Sequence, residues 1–217
     1  MDWSKWYDER VAKYNEDYKR VACTSYQSML SRYKVCLSNV AIEENMKILD
    51  IGCGTGNFEE LLSRTNENIS LIGLDNSSNM LKIAKKKDTS ANFLKGDILR
   101  LPFKDDFLDC ITCMGVLSAF NGSPNQAIKE IVRVLKLKGQ LFITTMDKNY
   151  EGNHKYEKSP DDYARQSQIL FVPEELSEYL ESLGVKIIKI AAFSTSDGTI
   201  LPLHQWDKFF IYGEKGG

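Results

Sequence analysis

The chain has 217 residues, enough for one domain with a substantial core and too few for two full domains. Lys and Arg number 28 against 30 Asp and Glu, a formal net charge of −2, which excludes a generally basic surface of the kind that follows phosphate backbones. The start, Met1-Asp2-Trp3-Ser4-Lys5, is too charged for a signal peptide, and no apolar run approaches the ~20 residues of a membrane span. The expectation is a soluble, cytoplasmic protein, monomer or homodimer.

Residues 1–46 read as helical, with a stripe Trp3, Tyr7, Val11, Tyr14, Tyr18 and Val21 at three- and four-residue steps. This segment is expected to form a lid or cap, its aromatic stripe serving either core packing or the cover of a site. From residue 47 onward, β-rich runs at 47–51, 69–75, 91–96, 108–114 and 140–146 alternate with helical patterns at 57–64, 77–87 and 126–135. Such alternation means βαβ units, hence a parallel sheet covered by helices on both faces. A polar stretch, 147–172, follows the fifth strand as a substrate-side insertion, and another helix is predicted at 174–183. Two β-patterned stretches, 185–193 and 206–212, leave no room for a crossover helix, so they must pair antiparallel. The predicted fold is therefore α/β, a doubly wound, Rossmann-like, seven-stranded sheet with an antiparallel last strand, occupying residues 47–217.

The five cysteines, at 23, 36, 53, 110 and 113, are an odd number. Cys110 and Cys113 have redox-motif spacing but lie in an apolar run with no second pair to complete a zinc site. They read as reduced, buried thiols, and no metal is expected.

Asp50-Ile51-Gly52-Cys53-Gly54-Thr55-Gly56-Asn57 sits where the first strand meets the first helix. A dinucleotide fingerprint asks for its third glycine at position 57, which is Asn57, and a P-loop lysine is missing. Asp75 ends the second strand, placed to accept hydrogen bonds from a ribose diol. Asp97 follows the third, where a carboxylate can take an exocyclic amine proton. In an open α/β sheet ligands lie beyond the carboxyl ends of the strands, so loop, Asp75 and Asp97 line one crevice suited to a nucleoside without phosphates.

At these residues the chain resembles the class I S-adenosylmethionine-dependent methyltransferases, with a core like that of the ubiquinone/menaquinone methyltransferases. The string from Ile48 to Gly56 is similar to the first motif of that family, Leu74-Asp75-Asn76-Ser77 to its ribose motif, and Gly96-Asp97-Ile98 with Leu101-Pro102-Phe103 to its adenine motif. The run from Glu130 to Lys136 resembles the motif that leads into the fifth strand. The resemblance covers about residues 46–147 in order. It implies S-adenosyl-L-methionine as cofactor and S-adenosyl-L-homocysteine as product. It implies that Asp50, Gly52, Cys53, Gly54 and Gly56 shape the methionine pocket and that Asp75 binds the ribose. Asn76 and Ile98 would flank the adenine, Asp97 would accept from its amine, and Met114 and Gly115 would lie near the methionine amino group. Ala12-Lys13-Tyr14 matches an element of the family that closes over the cofactor, which assigns Tyr14 to that role.

Two departures stand out. Where many relatives carry His or Glu after the fourth strand, this chain has Ser118-Ala119-Phe120, and the turn before the fifth strand is Lys136-Leu137-Lys138-Gly139. His154 is then the candidate general base, with Tyr150 and Tyr156, beside Tyr163, as candidate substrate contacts in the long loop. The acceptor is expected to be a small molecule. RNA or protein methylation is the alternative, and a non-catalytic subunit that activates a partner is a third possibility.

Overall fold

Adjacent residues of the central strands are both apolar and both buried. Ile48, Cys110, Phe142 and Phe210 fall on one face, and Leu49, Ile111, Ile143 and Ile211 on the other. Successive strand side chains point to opposite faces, so a sheet of this composition must be covered on both sides. The computed structural model, which describes residues 2–65, 68–87, 90–150 and 168–216, meets that demand. Helices α1 (Trp3–Lys13), α2 (Asp17–Arg20) and α3 (Tyr26–Leu37) precede β1 (Lys47–Ile51). Then follow α4 (Asn57–Thr65), β2 (Ser70–Asp75), α5 (Ser78–Ala84), β3 (Asn92–Lys95), β4 (Leu108–Met114), α6 (Pro124–Val134) and β5 (Leu135–Met146). The chain ends with α7 (Pro173–Ser182), β6 (Val185–Phe193), β7 (Ile200–Leu201) and β8 (Lys208–Lys215).

The strands form a sheet in the order β3-β2-β1-β4-β5-β8-β6-β7. The first five run parallel, and β8 inserts antiparallel to both β5 and β6. Strand order reverses between β1 and β4, which is where an open α/β sheet leaves a crevice. Ile128 and Ile131 of α6 and Leu176 and Leu180 of α7 cover one face. Val35 and Cys36 of α3, with Phe58 and Leu62 of α4, cover the other. The helices start where local chemistry allows. The Ser25 and Ser77 hydroxyls accept from the backbone N–H groups of Ser28 and Met80, and Pro124 and Pro173 occupy first-turn positions that need no donor. Among the described residues, no helix is long and apolar enough to cross a membrane.

The sequence-based expectation is corrected at one point: there are eight strands, not seven. Ile200 and Leu201 pair antiparallel with Phe193 and Ala192 as a two-residue edge strand, too short to leave a periodic signature. The altered turn before the fifth strand is absorbed as an irregularity of β5. Leu135 pairs with Leu108 and Gln140 with Cys110, so residues 136–139 bulge out, with Lys138 at φ 62°. Cys110 and Cys113, an odd number of residues apart on β4, point to opposite faces, and all five thiols are free and buried.

The approach to β1 is pinned by Gln140. Its side-chain amide donates to the Ala41 carbonyl at 2.7 Å and accepts from the Ala41 N–H at 2.9 Å. Beneath the turn that leaves β1 lie two buried carboxyls, Asp50 on β1 and Glu59 on α4. Thr112 donates its hydroxyl to Asp50 at 2.5 Å. Burial pushes the Asp50 carboxyl up to about 7 and that of Glu59 well above its usual range. The folded chain therefore binds more protons than the unfolded chain between the ordinary value of 3.8 and about 7, and folding stability falls as pH rises through that window. Asp50→Asn removes this titration. Urea unfolding at pH 5 and pH 7.5 is expected to show the parent losing about 2 kcal/mol relative to Asp50→Asn. A constant difference between the two would contradict the buried-acid assignment.

Candidate functional site

Past Ile51 the backbone turns into α4 through three glycines in the left-handed region, Gly52, Gly54 and Gly56. All three also leave no space for a side chain, and a Cβ on Gly52 would run into the Val116 side chain. A Cβ on Gly54 would lie 2.8 Å from Val21 Cγ1, and one on Gly56 2.9 Å from the Phe93 ring. The loop is held by Asp75 at the end of β2. Its Oδ2 accepts from the Gly54 N–H at 2.9 Å and its Oδ1 from the Ser77 N–H at 2.8 Å. Burial raises the Asp75 carboxyl above its usual range, an effect opposed by the Ser77 and Gly54 hydrogen bonds. Asp97, after β3, is exposed and accepts from the Leu99 N–H at 2.9 Å, while Ile98 beside it is buried.

These residues border a cavity of about 260 Å³ at the carboxyl ends of the strands, in the crevice at the β1–β4 reversal. Its wall includes Asp50, Gly52, Cys53, Gly54, Asp75, Asn76, Asp97, Ile98, Met114 and Gly115, so the structure gathers ten of the sequence-derived positions around one space. Gly56 is not on the wall and packs behind the loop against Phe93 and Ala84. Tyr150 is half-buried and does not line the cavity. His154, Tyr156 and Tyr163 lie outside the described residues.

Tyr14 requires a correction: it is not part of the cavity wall. Helix α1 ends at Lys13, and Tyr14 is extended (φ −117°, ψ 142°), so the helical period that would carry its ring inward stops one residue short. The ring is met instead by Arg10, Lys13 and Lys19, at 4.9, 5.0 and 6.0 Å from its centroid. The aromatic cover comes from earlier in the same stripe, from Trp3 and Tyr7. Trp3 packs with Ala119, and Trp6 meets Tyr7 edge-on at 4.9 Å. Burial pushes the Tyr7 phenol up to about 12, so it faces the cavity as a neutral hydroxyl. Helix α1 is fastened by the Ser77 hydroxyl, which donates to Asp8.

Cys23, Met29, Arg32 and Tyr33 also line the cavity, and the sequence reading missed them. Met29, Arg32 and Tyr33 share α3, and their three- and four-residue spacing was the available signal.

The parts of an adenosyl amino acid find matching chemistry here. Carboxylates stand at the ends of β2 and β3 for hydroxyl and amine donors, Ile98 and Leu74 offer apolar contact for a ring, and the glycine turn admits close backbone approach. Comparison with known proteins agrees. The sequence profile of a methyltransferase domain matches residues 49–143, and that of protein-L-isoaspartate(D-aspartate) O-methyltransferase matches residues 1–95. A demethylmenaquinone methyltransferase of Thermotoga maritima is 40% identical over 97 residues, 45% of this chain and 42% of that protein. An uncharacterized protein of Methanocaldococcus jannaschii is 36% identical over 143 residues, 65% of each. The chain thus spans about half the length of the curated relatives it matches. Among solved structures, the complex between the Haloferax volcanii Trm112 methyltransferase activator and a methyltransferase contains a chain with a TM-score of 0.74 at 23% identity. That match covers 100% of this chain and 99% of the other, a likeness of fold. The chain's four ordered motifs, the methyltransferase-domain profile over residues 49–143 and its sheet order are those of the class I S-adenosylmethionine-dependent methyltransferases.

Proposed function

We propose that the chain transfers a methyl group from S-adenosylmethionine to a small-molecule acceptor by in-line displacement. The observation that carries this is the convergence of the glycine turn, Asp75 and Asp97 on one cavity at the strand-order reversal. When bound, the cofactor supplies a methyl group already activated on a sulfonium. What remains for the protein is alignment, an effect that can lower such a barrier by about 7–11 kcal/mol.

The Asp75 carboxylate accepts from the ribose hydroxyls while keeping the glycine turn in place. Asp97 accepts from the adenine amine, with Asn76 and Ile98 beside the ring. Met114 and Gly115 border the amino-acid end, and Asp50 supports it from below. Trp3, Tyr7 and Phe120 exclude water and present aromatic faces, a favourable surround for a cation. His154 is proposed as the base for acceptors that must lose a proton, with Tyr150 and Tyr156 as acceptor contacts. A small acceptor is supported by the apolar share of the wall, which includes Met29, Val116 and Ala119, and by the quinone-directed names of several relatives.

A second reading is supported by the Haloferax volcanii fold neighbour, which was solved in complex with an activator: this chain would then work only with a partner. Turnover that appears only on addition of a second chain would favour it, and turnover by the isolated chain would remove it.

Titration calorimetry with S-adenosylhomocysteine, with NAD as control, tests the cofactor assignment; selective binding of the former is expected. Asp75→Ala is expected to weaken that binding at least about tenfold, roughly 1.4 kcal/mol. Unchanged affinity would remove Asp75 from the ribose. His154→Ala is expected to leave S-adenosylhomocysteine affinity at the parental level and to lower turnover at least about tenfold. Parental turnover with a methylated acceptor would retire His154 as the base.

A further inference from the structure

Lys82, Lys85, Lys86 and Lys87 stand close together at the end of α5 and just beyond it, and they do not share one environment. The first three are exposed, whereas Lys87 turns inward and its side chain is only 13% exposed. Its ammonium donates to Asp17 Oδ2 of α2 at 2.9 Å and to Asn57 Oδ1 at the start of α4. It also lies 3.1 Å from Glu60 Oε2, one turn further along α4. An ammonium has three donors, and here it meets acceptors from two separate elements. Both arms lead to the glycine turn. Asn57 donates its Nδ2 to Thr55 Oγ1 at 2.8 Å, and Thr55, fully buried, stands between Gly54 and Gly56. Asp17 opens the helix that Val21 ends, and Val21 lies on the cavity wall against Gly54. Asp17 accepts as well from Arg20 at 3.1 Å, which braces the same short helix.

A cation enclosed in this way holds together two carboxylates that would otherwise repel, Asp17 on the cover and Glu60 on the scaffold. Without it they remain as like charges in a partly buried site, which costs more than the loss of an exposed pair. We propose that Lys87 is a positioning residue for the methyl donor. It clamps the glycine turn from both sides, through Asp17 and Val21 at the cavity and through Asn57 and Thr55 behind. The turn must bring its backbone close to the ligand, and a ligand that finds it already in place binds without the cost of ordering it. Lys87 does not line the cavity, so it acts through these residues. The inference rests on the cofactor reading above and adds to it the group that keeps the binding turn in place.

Calorimetry with S-adenosylhomocysteine, beside urea unfolding of the same proteins, tests this. Lys87→Met keeps the packed stem and drops the charge. Under conditions where it is fully folded, it is expected to bind S-adenosylhomocysteine at least about tenfold more weakly than the parent. Asp17→Asn leaves Lys87 with Glu60 and Asn57 and is expected to weaken binding about threefold. Added to Lys87→Met, it removes the repulsion between α2 and α4, so the double variant is expected to bind more tightly than Lys87→Met alone. A residue that only stabilised the fold would lower the urea midpoint and leave the affinity of the folded variant at the parental level. Parental affinity in Lys87→Met, or a double variant that shows the product of the two single losses, overturns the proposal. If Lys87→Met does not fold, parental affinity in Asp17→Asn overturns it. A parent that does not bind S-adenosylhomocysteine overturns the cofactor reading instead, so the two failures are distinct.

Discussion

The turn that leaves β1 must do two things at once, adopt left-handed backbone and keep side chains out of the space beside it, and the surrounding structure is arranged to hold it. Asp75 receives the N–H of Gly54 from the loop and the N–H of Ser77 from the start of α5, so one carboxylate ties the end of β2 to both elements. Behind the turn, Asp50 takes the Thr112 hydroxyl and so links β1 to β4 across the strand-order reversal. The crevice is thus bordered on each side by a carboxyl that also binds its own scaffold. Groups fixed in this way are set before a ligand arrives, which lowers the ordering cost of binding.

The cover over the crevice is built as a chain of contacts. The Arg10 Nε of α1 donates to the Lys19 carbonyl of α2 at 2.8 Å, which joins the two helices. Val21, the residue that ends α2, is the one that meets Gly54. At the other end of α1, Trp3 packs on Ala119 beyond β4, while Asp8 accepts from Ser77 beside β2. Helix α1 therefore spans the crevice and is fastened on both banks. Helices α1 and α2 are thus joined to each other as one cover beside the crevice. What restrains them is an aromatic cluster and a few hydrogen bonds, in contrast to the α3 residues Val35 and Cys36, which are locked into the core.

The sheet was legible from sequence because its signals are local: a doubly apolar strand reports burial on both faces, and a glycine run after it reports a tight turn. The same holds for Asp75 and Asp97, whose positions at strand ends follow from the strands themselves. Tyr14 was misplaced because a three- and four-residue pattern does not say where a helix stops, and α1 ends one residue before it. Arg32 was missed for a different reason. Its place on the wall comes from how α3 lies across the end of β4, a tertiary fact that the three- and four-residue spacing of Met29, Arg32 and Tyr33 signals only as a shared helix face. Strand β7 escaped notice because two residues cannot display an alternation.

The distribution of charge bears on the chemistry more than the inventory of residues does. Methyl transfer disperses a positive charge that is concentrated on sulfur in the donor, so a carboxylate in contact with the sulfur would stabilise the ground state more than the transition state and raise the barrier. Around this cavity the carboxylates stand at the β2 and β3 ends, and the acid on β1, Asp50, is raised by burial to about 7, so it is half protonated at that pH and largely neutral well below it. Toward β4 the wall consists of Met114, Gly115, Val116 and Phe120 with the Arg32 guanidinium. Aromatic and thioether surfaces there favour a dispersed cation without an ion pair that would have to be broken. On the proposed reading, acids recognise the nucleoside, and the space toward β4 is left to surfaces that tolerate a charge as it spreads.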